Sequence, residues 1–157
     1  MSQIVIVCTG NTCRSPLAAA LLSHKLGERG VDGVTVVSAG TGAWDGAPAS
    51  EGAYLVALEH GLDLSNHRAR LLTRELAASA DLVLTMARHH LARTEQLGAA
   101  DKAHLLGEYA GREGASAEVS DPFGGDLEGY RATYEELDAL LDAVVARLDR
   151  ERLGDRR

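Results

Sequence analysis

The sequence predicts an α/β fold: a single three-layer α/β domain over residues 1–157, with a four-stranded parallel sheet and helices on both faces. Three observations carry that expectation. Short β-branched apolar runs alternate with stretches that have helical caps or helical periodicity, the pattern of a sheet built from βαβ units. The 157 residues suit one hydrophobic core, because a domain of about 150 residues buries roughly 68–70% of the surface of its unfolded chain. No internal repeat, linker or low-complexity segment divides the chain.

Ile4–Cys8 (IVIVC) is a continuous apolar run rich in β-branched residues, which suits a central strand buried on both faces. After a loop, SPLAAALLSHKLGERG reads as a helix, with Ser15 as N-cap, Pro16 at the first helical position and Gly30 just past the end. Val34–Gly40 (VTVVSAG) is the second strand, reached by a right-handed crossover. A Gly- and Pro-rich loop, GTGAWDGAPAS, leads to a helix over Ser50–Gly61 and then to a short helix, LTRELAASA. Asp81–Met86 (DLVLTM) is a third buried strand, followed by a helix near His89–Gly98. KAHLLGEY offers a fourth, shorter strand, and GREGASAEVSDPFGGD a long polar loop. From Asp126 to about Leu153, Leu127, Tyr130, Tyr134, Leu137, Leu140, Leu141, Val144, Val145 and Leu148 follow a 3.6-residue period, so the last helix is long and amphipathic. The final residues, within RLGDRR, are expected to form a flexible tail.

Composition excludes several roles. Sixteen basic against 23 acidic side chains leave a net charge of −7, and no Lys/Arg run is long enough to follow a phosphate backbone, which argues against nucleic acid. The first apolar stretch has no basic residues ahead of it and falls far short of the roughly 20 residues of a membrane span. Neither a signal peptide nor a membrane partner is expected, and the chain reads as cytoplasmic. In a reducing compartment, two cysteines suit catalysis, redox chemistry or an inert thiol better than a structural bridge. Any phosphate-bearing ligand meets an unfavourable overall field, so it should be small or carried on a partner and met by a local positive pocket.

Both cysteines lie in VCTGNTCRSPLA, at the carboxyl end of the first strand, where open α/β sheets bind ligands. Cys8 to Arg14 forms a C-x5-R loop. Its backbone N–H groups at a helix N-terminus make a nest for a tetrahedral dianion, and Arg14 adds a planar fork for two oxygens. The same donors favour the thiolate of Cys8, the nucleophilic form. Taken alone, Cys8 could equally be a buried residue ending an apolar strand. The order strand, Cys, a loop with Gly10 and Asn11, then Arg-Ser-Pro opening a helix has no packing rationale and favours catalysis. Asp121, before Pro122, is either a turn residue or a carboxyl placed to act as general acid and base. The six histidines make a poor metal site: His60 and His67 lie seven apart across a helix end, and the adjacent His89 and His90 point different ways. Neither metal nor cofactor is expected.

VCTGNTCRSP, together with DPFGG at Asp121–Gly125, resembles the low-molecular-weight protein phosphatases, a cysteine-dependent family that includes protein-tyrosine phosphatases and bacterial protein-arginine phosphatases. SAG at Ser38–Gly40, NHRARLLT at Asn66–Thr73 and ADLVLTM at Ala80–Met86 extend the resemblance over about Gln3–Leu148. It implies a phosphorylated protein as substrate and a cysteinyl-phosphate intermediate formed on Cys8. By the same resemblance Thr9, Gly10, Asn11, Thr12, Cys13, Arg14 and Ser15 hold the phosphoryl oxygens, Ser15 donates to the Cys8 sulfur, and Asp121 moves the proton. Asn11 would take a positive backbone angle, with Ser38 and His67 hydrogen-bonded to it, while Trp44 and Phe123 would wall the cleft.

The resemblance also frames the choice of substrate. At the place of Thr12, phosphotyrosine enzymes tend to carry a bulky aliphatic residue, whereas arginine phosphatases carry Thr. Phosphoarginine is the favoured expectation and phosphotyrosine the alternative, because sites that pair a substrate's polar groups discriminate strongly. Arsenate reductases of this fold need further cysteines downstream, and none follows Cys13. A binding module would need neither nucleophile nor acid. With Cys8 as nucleophile, Cys13 across the curled loop is expected to close a reversible Cys8–Cys13 disulfide on oxidation, its rival being an inert buried thiol. A weak homodimer is left open.

Overall fold

In the computed structural model, which describes residues 2–155 with side chains as far as Glu151, four parallel strands form one sheet in the order β2-β1-β3-β4. β1 (Ser2–Cys8) is central, between β2 (Val34–Gly40) and β3 (Leu82–Thr85), and β4 (Ala103–Leu105) lies outside β3. Parallel strands buried on both faces read as unbroken apolar runs, and Ile4 to Cys8 are all at most 2% exposed. Their alternation divides the core. Ile4, Ile6 and Cys8 join the cluster that includes Leu17, Leu22, Leu137 and Leu141, whereas Val5 and Val7 join Leu72, Ala77 and Leu97 on the other side.

The first face is covered by α1 (Arg14–Glu28) and α6 (Leu127–Asp155), with α2 (Glu51–Glu59) beside them; α3 (Arg74–Ser79) belongs to the other. Lys25 ties α1 to α6, its Nζ lying 2.7 Å from Asp138 and 2.6 Å from Asp142. Burial works against the Lys25 charge, yet those two carboxylates together hold its pKa above the ordinary lysine value. Thr73 and Ser50 cap α3 and α2 by accepting from Leu76 N and Ala53 N.

Several expectations are corrected. Ser15 is not the N-cap of α1: the helix begins at Arg14 with Cys13 in the cap position and no side-chain cap bond. The left-handed Asn11 (φ 57°) bends the loop so sharply that the helix is entered earlier, which turns the Ser15 side chain inward. The fourth strand stops at Leu105, and Leu106–Tyr109 forms α5. There Gly107 lies so close to Ala117 that a Cβ would come within 2.2 Å of its carbonyl oxygen. The helix expected near His89–Gly98 is present as α4 (Arg88–Thr94), continued by a wider turn over Glu95–Ala99 that contains the left-handed Gly98. The long polar loop contains a 3-10 turn at Gly114–Ala117. Of the expected tail, Arg156 and Arg157 lie outside the described residues, and the helix runs on to Asp155. Among the described residues no helix is long and apolar enough to cross a membrane.

Candidate active site

β1 ends at Cys8, and the chain then curls from Thr9 to Cys13 before α1 starts. The end of β2 supports this curl. Thr41 N–H donates to Cys8 O (3.0 Å) and Gly42 N–H to Thr9 O (2.9 Å). A Cβ on Gly40 would stand 2.3 Å from Thr9 O and 2.9 Å from Asn11 N, so only glycine allows this approach.

Asn11 is fully buried and every polar group of its side chain is used. Its amide nitrogen donates to Ser15 Oγ (2.8 Å) and Ser38 Oγ (2.9 Å), and its amide oxygen accepts from Arg70 N–H (2.9 Å). Its backbone oxygen lies 2.6 Å from His67 Nε2, which donates to it. Burial lowers the His67 pKa, Arg68 lowers it further, and the bond to Asn11 opposes them. The start of α1, β2 and the His67–Arg70 segment thus together fix one left-handed residue.

Because an amide NH2 can only donate, Ser15 Oγ accepts from Asn11, and once Cys8 is a thiolate the Ser15 hydroxyl is the donor in the 2.9 Å contact with its sulfur. Among the described residues none accepts a hydrogen bond from the backbone N–H of Gly10, Thr12, Cys13, Arg14 or Ser15. The loop therefore presents a row of free donors at a helix N-terminus.

Arg14 is 4% exposed. One terminal nitrogen donates to Val119 O (3.0 Å), the other stands 3.5 Å from Asp121 Oδ2, and its buried Nε has no partner among the described residues. Asp121 is half exposed, its other oxygen accepting from Phe123 N–H (3.0 Å). Cys8, Thr9, Gly10, Thr12, Cys13, Arg14, Asp121 and Phe123 line a cavity of about 170 Å³. At roughly 30 Å³ per water molecule, that holds a tetrahedral oxyanion and the first atoms attached to it.

One side chain stands apart from the cavity it was expected to wall. Trp44 is 85% exposed and is not among the residues that line the cavity. Its turn is bound to the neighbouring segment by Gly46 N–H on Ala69 O and Leu71 N–H on Asp45, both 2.8 Å. Both cysteines are free thiols. Cys13 Sγ lies 3.2 Å from Ser50 Oγ, 3.6 Å from Tyr130 Oη and 3.7 Å from Thr12 Oγ1, whereas Cys8 Sγ faces Ser15.

His90 joins the site without having been expected there. It is fully buried, accepts Ala87 N–H at Nδ1 (3.1 Å) and lies 2.8 Å from Thr9 Oγ1 through Nε2. Burial pushes its pKa down to about 3, helped by His89 and Arg14 and opposed by Asp121. The available signal was its position in the first turn after a buried strand, where a helix starts at the sheet's ligand-binding edge. Arg70 was missed because it contributes a backbone N–H, to which any residue type is equivalent. No group of three His, Cys, Asp or Glu side chains among the described residues is arranged to hold a metal ion.

The chain is similar over 152 residues to a protein-arginine-phosphatase of Bacillus subtilis, at 41% identity, covering 96% of this chain and 99% of the relative. It is 37% identical over 156 residues to low molecular weight protein-tyrosine phosphatase A of Mycobacterium tuberculosis, covering 97% of this chain and 94% of the relative. Among solved structures, a YwlE arginine phosphatase mutant with a phosphorylated active-site serine superposes with a TM-score of 0.89 at 39% identity, covering 96% of this chain and 97% of that one. The model of the low molecular weight phosphotyrosine protein phosphatase family matches residues 3–153. With its fold and nearly its whole length shared, the chain belongs to the low molecular weight protein phosphatases, hydrolases that act on phosphorylated proteins.

Proposed function

We propose that this phosphatase dephosphorylates phosphoarginine in proteins, with Cys8 as nucleophile, Arg14 and the loop amides as phosphoryl clamp and Asp121 as proton carrier. The observation that carries the reading is the Ser15 hydroxyl 2.9 Å from the Cys8 sulfur, placed to donate to its thiolate, at a cavity that Cys8, Arg14 and Asp121 line together. The Cys8 thiolate attacks phosphorus in line, the P–N bond breaks, and Asp121 gives its proton to the departing guanidine nitrogen. The Asp121 carboxylate then takes a proton from water, which attacks the cysteinyl-phosphate. Inorganic phosphate leaves and the thiolate returns. Asn11, Ser38 and His67 keep the loop in its binding shape.

Thr12 supports phosphoarginine: a hydroxyl-bearing side chain on the cavity wall can pair with a guanidinium, where a larger aliphatic group would instead flank an aromatic ring. The named arginine-specific relative adds weight. Phosphotyrosine is the second reading, favoured by Phe123, which lines the cavity while 73% exposed and offers a phenol ring a stacking partner. We read residues 1–157 as one catalytic domain working in the cytoplasm, where its thiol stays reduced. The substrate is a phosphorylated protein rather than nucleic acid or a membrane, in keeping with the charge of −7. A homodimer is no part of the chemistry.

Matched peptides carrying phosphoarginine or phosphotyrosine decide between the two readings. The expected result is the higher kcat/KM for phosphoarginine, with Cys8→Ser inactive on both. Better hydrolysis of phosphotyrosine would reverse the order, and turnover by Cys8→Ser would end the mechanism.

A further inference from the structure

Thr9 follows Cys8 directly and lines the cavity. Its Oγ1 stands 2.8 Å from His90 Nε2, and its methyl carbon faces Gly42, where a Cβ would lie 3.9 Å away. The direction of the bond to His90 is fixed from the far side of the ring. Ala87 N–H lies 3.1 Å from His90 Nδ1 and can only donate, so Nδ1 is the acceptor and the ring proton of the neutral imidazole sits on Nε2. Nε2–H therefore donates to Thr9. The Thr9 oxygen accepts there and its own proton points elsewhere; among the described residues His90 is the one hydrogen-bond partner of that hydroxyl.

We infer that His90 is a positioning residue that turns the Thr9 hydroxyl into a fixed donor for a phosphoryl oxygen held over Cys8. The inference rests on the phosphatase reading of the cavity. It adds one oriented side-chain donor to the loop amides and Arg14, on the side where charge accumulates during transfer, and an oriented donor needs no reorganisation at that moment. Three features suit His90 to this role. The residue is 0% exposed, its ring is held at both nitrogens, and its carbonyl accepts the Thr94 hydroxyl at 2.8 Å. Burial keeps the ring neutral, since a second ring proton would face the Ala87 N–H.

The test compares Thr9→Val, His90→Phe, their double variant and His90→Gln, with an aryl phosphate as substrate and inorganic phosphate as competitive inhibitor. Thr9→Val and His90→Phe should each raise the phosphate inhibition constant and lower kcat/KM roughly tenfold to a hundredfold, the range for a hydrogen bond to a charged group. The double variant should lose no more than Thr9→Val alone, because both changes remove one device. His90→Gln, whose amide N–H reaches toward the Nε2 position, should recover part of the loss. Thr9 is exposed, so Thr9→Val tests the idea even if His90→Phe fails to fold. An unchanged phosphate inhibition constant in Thr9→Val overturns the inference, and so do additive losses in a folded double variant. Cys8→Ser, measured alongside, keeps two failures apart: its turnover would end the phosphatase mechanism and this inference with it. With Cys8→Ser inactive and Thr9→Val unaffected, this inference alone falls.

Discussion

The Ser15 hydroxyl lies 2.9 Å from the Cys8 sulfur, and Asn11, 2.8 Å away, donates to its oxygen and leaves its proton for the thiolate. Ser15→Ala should lower kcat roughly tenfold to a hundredfold, the range for one hydrogen bond to a charged group. It should also slow alkylation of Cys8 by iodoacetamide at neutral pH. Alkylation at the wild-type rate would mean that the hydroxyl does not serve the sulfur.

Asp121→Asn keeps an acceptor for Phe123 N–H but cannot supply the proton. The expected loss is about 100- to 10,000-fold with phosphotyrosine and other poor leaving groups, and much less with 2,4-dinitrophenyl phosphate. A leaving-group series measures this directly; one uniform loss across the series would exclude proton donation.

Thr12→Ile replaces a hydroxyl on the cavity wall by an ethyl group. The ratio of kcat/KM for phosphoarginine over phosphotyrosine peptides should fall by about 10- to 200-fold. Steady-state kinetics on the two peptides suffices, and a constant ratio would leave Thr12 no part in specificity.

Peroxide should convert Cys8 to the sulfenic acid; the Cys13 thiol then displaces water from it and forms a disulfide that dithiothreitol reverses. To reach it, Cys13 Sγ must leave Ser50 and Tyr130. In Cys13→Ser the sulfenic acid lacks this partner and should advance to the sulfinic acid, so activity no longer returns on reduction. Mass spectrometry distinguishes the products, and equal recovery in both proteins would leave Cys13 without a protective role.

Acid should destabilise the fold through His90. With a folded pKa of about 3 against about 6.5 when unfolded, the unfolded chain binds the extra proton throughout that window. The contribution is complete above pH 6.5 and is lost as pH falls toward 3, amounting to several kcal/mol in order of magnitude. His67, also lowered, acts in the same direction. The charged groups acting on the ring are His89 and Arg14, which disfavour protonation, and Asp121, which favours it. Urea titrations between pH 7 and 4 should show a shallower loss of stability for His90→Gln than for the wild type.

Apolar runs and caps made most of the architecture legible. Ile4–Cys8 read as a central strand because it is apolar on both sides, and the 3.6-residue recurrence from Leu127 to Leu148 located α6 closely. The errors came where one residue type suits two roles. Ser15 satisfies the statistics of a helix cap, yet Asn11 takes a left-handed turn that only the folded loop imposes. Leu105, Leu106 and Tyr109 are equally buried as strand or as helix, so burial could not mark where β4 ends. His90 stayed invisible because its partner, Thr9, is 81 residues away and the two meet only once β1 and β3 are paired.

Gly40 divides the loop into a welded inner half and an editable outer half. With strand β2 pressed against Thr9 O and Asn11 N, the inner half can hardly change without moving the sheet. Thr12 and Phe123, which line the cavity from outside that contact, can change alone. One scaffold can thus exchange its clientele while its chemistry stays constant, and new specificities in this lineage should be sought at those outward positions.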